Sequence, residues 1–130
     1  MDLTEKAREI FKRDLYAMQA GCEIEEAREN YAKCSMEITE THRNAAGTVM
    51  GGAIFTLADL CFSVAANMEK PLTVSMTSQI SFLAASRGKR LFAEAECIKS
   101  GRSSCFFNIL VTDDLGVKIA TATFTGYRRG

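Results

Sequence analysis

Hydrophobic and polar positions change period several times along the 130-residue chain, and each change marks an element. In residues 2–19, Leu3, Ala7, Ile10, Phe11, Leu15 and Met18 recur at three- and four-residue spacing, which predicts one amphipathic helix. Asp2 with Glu5 resembles a helix-start cap, and Gly21 marks the expected end. Residues 22–39, CEIEEARENYAKCSMEIT, alternate only in part and predict an edge strand or two. Residues 42–50, HRNAAGTVM, read as a loop, and Gly51–Gly52 as a tight start to the next element. Residues 52–68 predict a second helix, apolar almost all round. Pro71 closes its connection to TVSMTSQISFL, which has strand character. Residues 89–129 then read as three strands joined by the turns SGRS and DDLG. In the first of these, Leu91, Ala93, Ala95 and Cys97 alternate with Phe92, Glu94 and Glu96, the pattern of a half-buried strand. The layout is α+β: one domain over residues 1–130, with an N-terminal helix and an antiparallel sheet that wraps or covers a central helix.

The central helix poses a chemical question. Its polar side chains, Thr56, Asp59, Ser63 and Asn67, are three, four and four apart and form one narrow stripe. A helix apolar nearly all round is a buried helix, so the stripe faces something polar. Either it is a solvent face, or Asp59 lines a cleft or subunit interface. A surface helix usually shows a broader face with lysines and glutamates, and no Lys, Arg or Glu lies between Gly51 and Glu69. In a cleft, burial would raise the Asp59 pKa and make it a candidate base or nucleophile. The Gly51–Gly52 start leaves backbone N–H groups open at the positive end of the helix dipole, where a carbonyl could be polarised. Gly51 and Asp59 lie roughly 12 Å apart along a helix, too far for one small carbonyl to touch both in one chain. A two-fold dimer with antiparallel helices would bring each helix start near the partner's aspartate.

Charge and composition narrow the field. Sixteen basic residues balance 16 acidic ones, which argues against nucleic acid or an anionic membrane as partner. No run approaches the ~18 apolar residues of a membrane span, and the first 16 residues lack a secretory pattern. Five scattered cysteines without close pairing read as packed thiols of a cytoplasmic protein. The single histidine, His42, cannot build a histidine-based metal site and is more often a loop or surface residue than a catalyst. Neither a metal nor a separate cofactor is implied.

The run N-x-x-G-x-x-x-G-G-x-x-x-x-L-x-D, here Asn44, Gly47, Gly51, Gly52, Leu57 and Asp59, resembles the signature of hotdog-fold acyl-CoA thioesterases. The likeness is strongest to the phenylacetic-acid-degradation and thioesterase superfamily member 2 types, and it extends over about residues 30–127. It implies a hotdog fold, a homodimer pairing into a homotetramer, and hydrolysis of acyl-CoA with coenzyme A as part of the substrate. Carried across, Asp59 matches the catalytic carboxylate, as general base or nucleophile. Gly51 matches the glycine whose N–H polarises the thioester carbonyl. Asn44 matches an asparagine that orders the site, and Ser75 a serine that helps place water, with Asp59 and Ser75 opposite the partner's Gly51. Substrate contacts are expected from Met50, Gly52, Phe55 and Phe62. Arg87, Gly88 and Lys89, and the turn Gly101, Arg102 and Ser103, lie where relatives often hold the nucleotide or pantetheine. Phe55, Phe62 and Phe82 would suit an aryl or medium-chain acyl group, or simply form core.

The resemblance departs at Met50, where the family usually has histidine before the glycine pair. Methionine offers no hydrogen-bond donor or charge. Hydrolysis is still expected, because the aspartate and glycines remain. The alternative is a non-catalytic acyl-CoA or acyl-ligand sensor that keeps the fold. A hotdog dehydratase is disfavoured, since those sites usually need a histidine with an acidic partner and His42 lies well before the helix.

Overall fold

The computed structural model describes residues 1–68 and 72–129. Two short helices, α1 (Leu3–Phe11) and α2 (Leu15–Gln19), precede a hairpin of β1 (Cys22–Arg28) and β2 (Tyr31–Glu37). A 3-10 turn (Glu40–His42) leads to the long helix α3 (Gly51–Asn67). Then come β3 (Thr73–Phe82), β4 (Arg90–Ser100), β5 (Ser104–Asp113) and β6 (Lys118–Arg128). Pro71, expected to close the connection after the central helix, lies outside the described residues.

The six strands form one antiparallel sheet of order β1-β2-β4-β5-β6-β3. This is the hotdog arrangement: the sheet curls around α3, whose Leu57, Ala58, Cys61, Phe62, Val64 and Ala65 pack against its inner face. The strand alternation predicted from sequence is present. Leu91, Ala93 and Ala95 point inward and are fully buried, while Glu94 and Glu96 face out. Phe62 stacks on Phe124 and meets Phe107 edge-on, at centroid distances of 4.9 and 5.5 Å. It is 1 % exposed. The substrate contact expected of Phe62 is therefore corrected: it is a core residue.

The N-terminal segment also departs from expectation. One helix over residues 2–19 is predicted, but the chain turns at Lys12–Asp14 and makes two. Ala7 and Phe11 of α1 are buried, while Ile10 and Leu15 of the predicted stripe are exposed. The turn lets α1 lie along β1 while α2 crosses onto α3. The predicted cap at the start of α1 is present, with Asp2 Oδ1 accepting the Glu5 N–H at 2.8 Å. Gly21 takes a φ of +91° where α2 gives way to β1. His42, expected in a loop or on the surface, is buried. Its Nδ1 accepts the Thr39 N–H at 3.0 Å and its Nε2 sits 2.6 Å from the Ala20 carbonyl.

The two sheet edges are treated differently. Along β1, Thr4 Oγ1 accepts the Ala27 N–H and Arg8 Nε donates to the Ile24 carbonyl, so α1 satisfies the edge. From Val74 to Phe82 the outer edge of β3 has no backbone partner among the described residues. Its inner face is only partly covered, with Ile80 packed on the core. Ser75, Ser78 and Phe82 pair across from Gly126, Phe124 and Ala120, whose positions are buried, yet all three are exposed. A bulge between Ser75 and Thr77 keeps Ser75 and Ser78 on that one face.

Core side chains crowd Gly126, where an added Cβ would lie 2.7 Å from Cys105 Sγ and 2.9 Å from Phe62 Cζ. Gly126→Ala is expected to lower stability by about 1–3 kcal/mol through overpacking. Urea unfolding beside wild type checks this.

Candidate active site

Helix α3 brings the two predicted chemical features into separate clefts. At its start, Met50 is the residue before the first turn, and its carbonyl accepts the Ala53 and Ile54 N–H groups. The N–H groups of Gly51 and Gly52 have no acceptor among the described residues. The Gly51 end opens on a cleft of about 360 Å³ lined by Thr48, Ile54, Phe82, Leu83 and Ser86. There the Phe82 ring covers Gly51 so closely that an added Cβ would lie 3.0 Å from Cζ. A second opening of about 300 Å³ is bordered by Met50, Gly52, His42 and Tyr16. Met50 is 54 % exposed, with its thioether resting over Gly52.

Asp59 opens on a different cleft, of about 400 Å³, between α3 and α2. Phe55, Thr56, Asp59 and Leu60 form one wall and Asp14, Leu15, Tyr16 and Ala17 the other. The sequence stripe resolves into distinct jobs. Thr56 Oγ1 donates to the Gly52 carbonyl at 2.8 Å. Asn67 clamps β3, accepting the Thr73 N–H at 2.7 Å and donating to the Ser63 and Thr73 carbonyls. Asp59 is half-buried and has no hydrogen-bond or ion-pair partner among the described residues. Burial first, and then the charge of Asp14, push its carboxyl above the ordinary aspartate value. A carboxylate so placed is a stronger base than a solvated one and is free to accept a proton.

The other sequence candidates are distributed as follows. Asn44 is exposed and builds the loop before α3: its Oδ1 accepts the Ala46 and Thr48 N–H groups and the Thr48 hydroxyl. Gly47 in that loop has a φ of +84°. Ser75 lies exposed on the partly covered inner face of β3, towards the C-terminal end of α3, where Thr73 meets the helix. Phe55 lines the Asp59 cleft and stacks on Phe124 at 5.7 Å. Arg87, Gly88 and Lys89 precede β4, whereas Gly101, Arg102 and Ser103 follow it. At about 3.3 Å per residue the two groups are nearly 40 Å apart and cannot hold one phosphate group within a single chain. Gly88 is also fixed structurally, since an added Cβ would strike Asp114 Oδ1. Gly101 closes the β4–β5 turn by donating to the Ser104 carbonyl at 2.8 Å.

Asp14 and Tyr16 are absent from the sequence reading, because a single N-terminal helix gave no reason to fold them over α3. Four of the five cysteines are poorly placed to act as nucleophiles. Cys22, Cys34, Cys61 and Cys105 are buried, and burial, with Cys34 close by, pushes the Cys22 thiol up to about 12. Among the described residues, no three His, Cys, Asp or Glu side chains could hold a metal ion. No described helix is long and apolar enough to cross a membrane.

Residues 46–120 match the family model described as "Thioesterase superfamily". A relative from Archaeoglobus fulgidus named "Putative esterase" is 34 % identical over 120 residues, covering 92 % of this chain and 78 % of its own length. "Acyl-coenzyme A thioesterase PaaI" of Escherichia coli is 25 % identical over 127 residues, covering 97 % of this chain and 91 % of its own. The solved structure of the E. coli PaaI protein superposes with a TM-score of 0.92 at 25 % identity, over 99 % of this chain and 97 % of that one. A thioesterase protein of Streptococcus pneumoniae solved with coenzyme A gives a TM-score of 0.84 at 26 % identity, over 92 % and 97 % of the two chains.

A raised carboxylate pKa has a consequence for stability. In the fold, ionised Asp59 is disfavoured relative to the unfolded chain. The penalty is therefore present above the folded pKa and fades as pH falls through it towards the unfolded value. Asp59→Asn is expected to raise Tm at pH 8, with the gain shrinking in acid. Thermal melts of both proteins across pH 4–8 measure it.

Proposed function

The chain belongs to the thioesterase superfamily and is a thioester hydrolase of the hotdog fold, and on that premise we propose that it hydrolyses acyl-coenzyme A in a site shared across a homodimer. The observation that carries the reading is Asp59, an unpartnered, half-buried carboxylate facing a cleft on an otherwise apolar helix. Its proposed role is to take a proton from water as the water oxygen attacks the thioester carbonyl. The Gly51 N–H of the partner subunit meets the negative charge that builds on the carbonyl oxygen. Collapse of the tetrahedral intermediate breaks the C–S bond and expels coenzyme A thiolate, which takes up the proton, and the free acid leaves. In the nucleophilic variant Asp59 attacks first and water then cleaves the anhydride.

Two observations support the dimer. The Gly51 and Asp59 clefts of one chain are separate, and β3 leaves its outer edge without a backbone partner among the described residues and Ser75 and Ser78 of its inner face exposed. Pairing β3 with its copy satisfies that edge and brings Ser75 under a second helix. Ser75 then helps place the water and Asn44 keeps the loop before Gly51 in shape. Coenzyme A phosphates are assigned to Arg87 and Lys89 of one subunit or Arg102 of the other. The apolar rims formed by Met50, Phe55 and Phe82 favour an aryl or medium-chain acyl group. A pairing of dimers into a tetramer and a cytoplasmic location complete the proposal.

Free coenzyme A release is measured for wild type and Asp59→Asn with phenylacetyl-, hydroxybenzoyl-, short- and long-chain acyl-CoA, after both are shown to be folded oligomers. Wild type is expected to turn over at least one aryl or medium-chain substrate, with loss of about 10²-fold or more in the mutant. Equal turnover by both sinks the mechanism. Binding without turnover favours the sensor, with Met50 as its cause. Light scattering is expected to give at least twice the chain mass, and a monomer overturns the shared site.

A further inference from the structure

Asp14 is exposed at the rim of the cleft that Asp59 lines. It occupies the cap position of α2, where its carbonyl accepts the Met18 N–H, yet its side chain makes no capping hydrogen bond. The carboxylate makes no other hydrogen bond or ion pair among the described residues. We propose that Asp14 is a positioning residue for the hydrolysis: its fixed negative charge across the cleft from Asp59 keeps Asp59 a strong base, and α2 is held over α3 to deliver it. The inference rests on the thioesterase reading and adds a residue to it.

The surroundings leave Asp14 as the opposing charge. On α2, Asp14 and Tyr16 are the titratable groups that line the cleft. The inner faces of β2, β4, β5 and β6 present Cys34, Ala93, Ala95, Phe107, Ile109, Ala122 and Phe124 to α3, with Cys34 directed to Cys61 on the opposite side of the helix. β3 contributes the hydroxyls of Ser75 and Ser78. Arg128 is buried against the Ala66 carbonyl, about two turns further along α3. No cation lines the Asp59 cleft among the described residues. The direction of the Asp59 shift, with the Asp14 charge as its second cause, agrees with this placement.

The test is a pair of titrations on wild type and Asp14→Asn, with Asp14→Ser as a variant that keeps an N-cap residue. Carboxyl carbon NMR follows Asp59 directly, its signal assigned by loss in Asp59→Asn, and it reads out whether or not turnover is seen. Both Asp14 variants are expected to move the Asp59 midpoint down by about half a pH unit. The acid limb of kcat/KM should move with it, and plateau kcat should fall about two- to threefold with little change in KM. Raising salt to 0.5 M should shift wild type in the same direction and the variants much less. An unmoved Asp59 midpoint in folded variants overturns the proposal, as does a midpoint that moves while the pH–rate profile stays. Wild type without turnover on any acyl-CoA overturns the thioesterase reading itself, and the catalytic role of Asp14 with it. An active wild type, an inactive Asp59→Asn and an unshifted Asp14→Asn leave that reading standing and remove this one alone.

Discussion

One apolar helix has to be covered by a sheet wider than itself. Six strands at about 4.8 Å spacing span roughly 24 Å, while a helix with its side chains is about 10–12 Å across. The sheet meets this by curling around α3, and the middle strands supply the floor on which Phe62, Phe107 and Phe124 interlock. The last strand reaches the helix through Thr73, Ile80 and Phe82, but only its paired side is closed. β1 is closed by α1 through Thr4 and Arg8, but β3 keeps an unpaired edge and exposed Val74, Met76 and Phe82. An open strand edge with apolar side chains invites pairing, and here it borders the same face of the helix that holds the chemistry. In the proposed dimer, that open edge is where a second chain would complete the site.

Much of this was legible in the sequence. The β4 alternation, the SGRS and DDLG turns and the charge-poor run after Gly51–Gly52 each place an element where it is found. Asp59 stood out as a lone carboxylate among Ala, Leu, Phe and Val, though the pattern alone left a solvent face and a cleft both open. The N-terminal break was not legible. Leu3 to Met18 keep a helical spacing through it, and only tertiary contacts reveal that α1 serves β1 while α2 serves α3. Phe55 and Phe62 were equally ambiguous, since periodicity places both on the helix but cannot tell a cleft wall from the core. A separation of about two turns puts Phe55 at the Asp59 cleft and Phe62 beneath Phe124.

The phosphate candidates show the opposite limit. Arg87–Lys89 and Gly101–Ser103 look alike as short basic turns, yet β4 separates them by its full length. Gly88 and Gly101 are also committed to the fold, the first to the approach of Asp114 and the second to a hairpin bond. A turn motif therefore carries little chemistry until the strand between two such turns is measured. If both turns serve one ligand, they do so from different subunits, which is the same demand that the separation of Gly51 from Asp59 makes.

Leaving Asp59 unpaired is a choice against stability. A half-buried carboxylate loses hydration, and a nearby arginine or a pair of backbone N–H groups would restore the balance at little structural cost. The stripe already shows such a solution about two turns away, where Asn67 ties the helix to β3 with two hydrogen bonds to Thr73. At Asp59 no such bond is made among the described residues, and the carboxylate across the cleft is of like charge. Both features act in one direction: they raise the affinity of Asp59 for a proton. A binding protein for an acyl-CoA, which carries several negative charges, gains nothing from two carboxylates in its cleft. The proposed hydrolysis does, because taking a proton from water is the step that a more basic carboxylate makes faster, and Met50, which offers no charge and no donor, leaves that role in the proposal to Asp59.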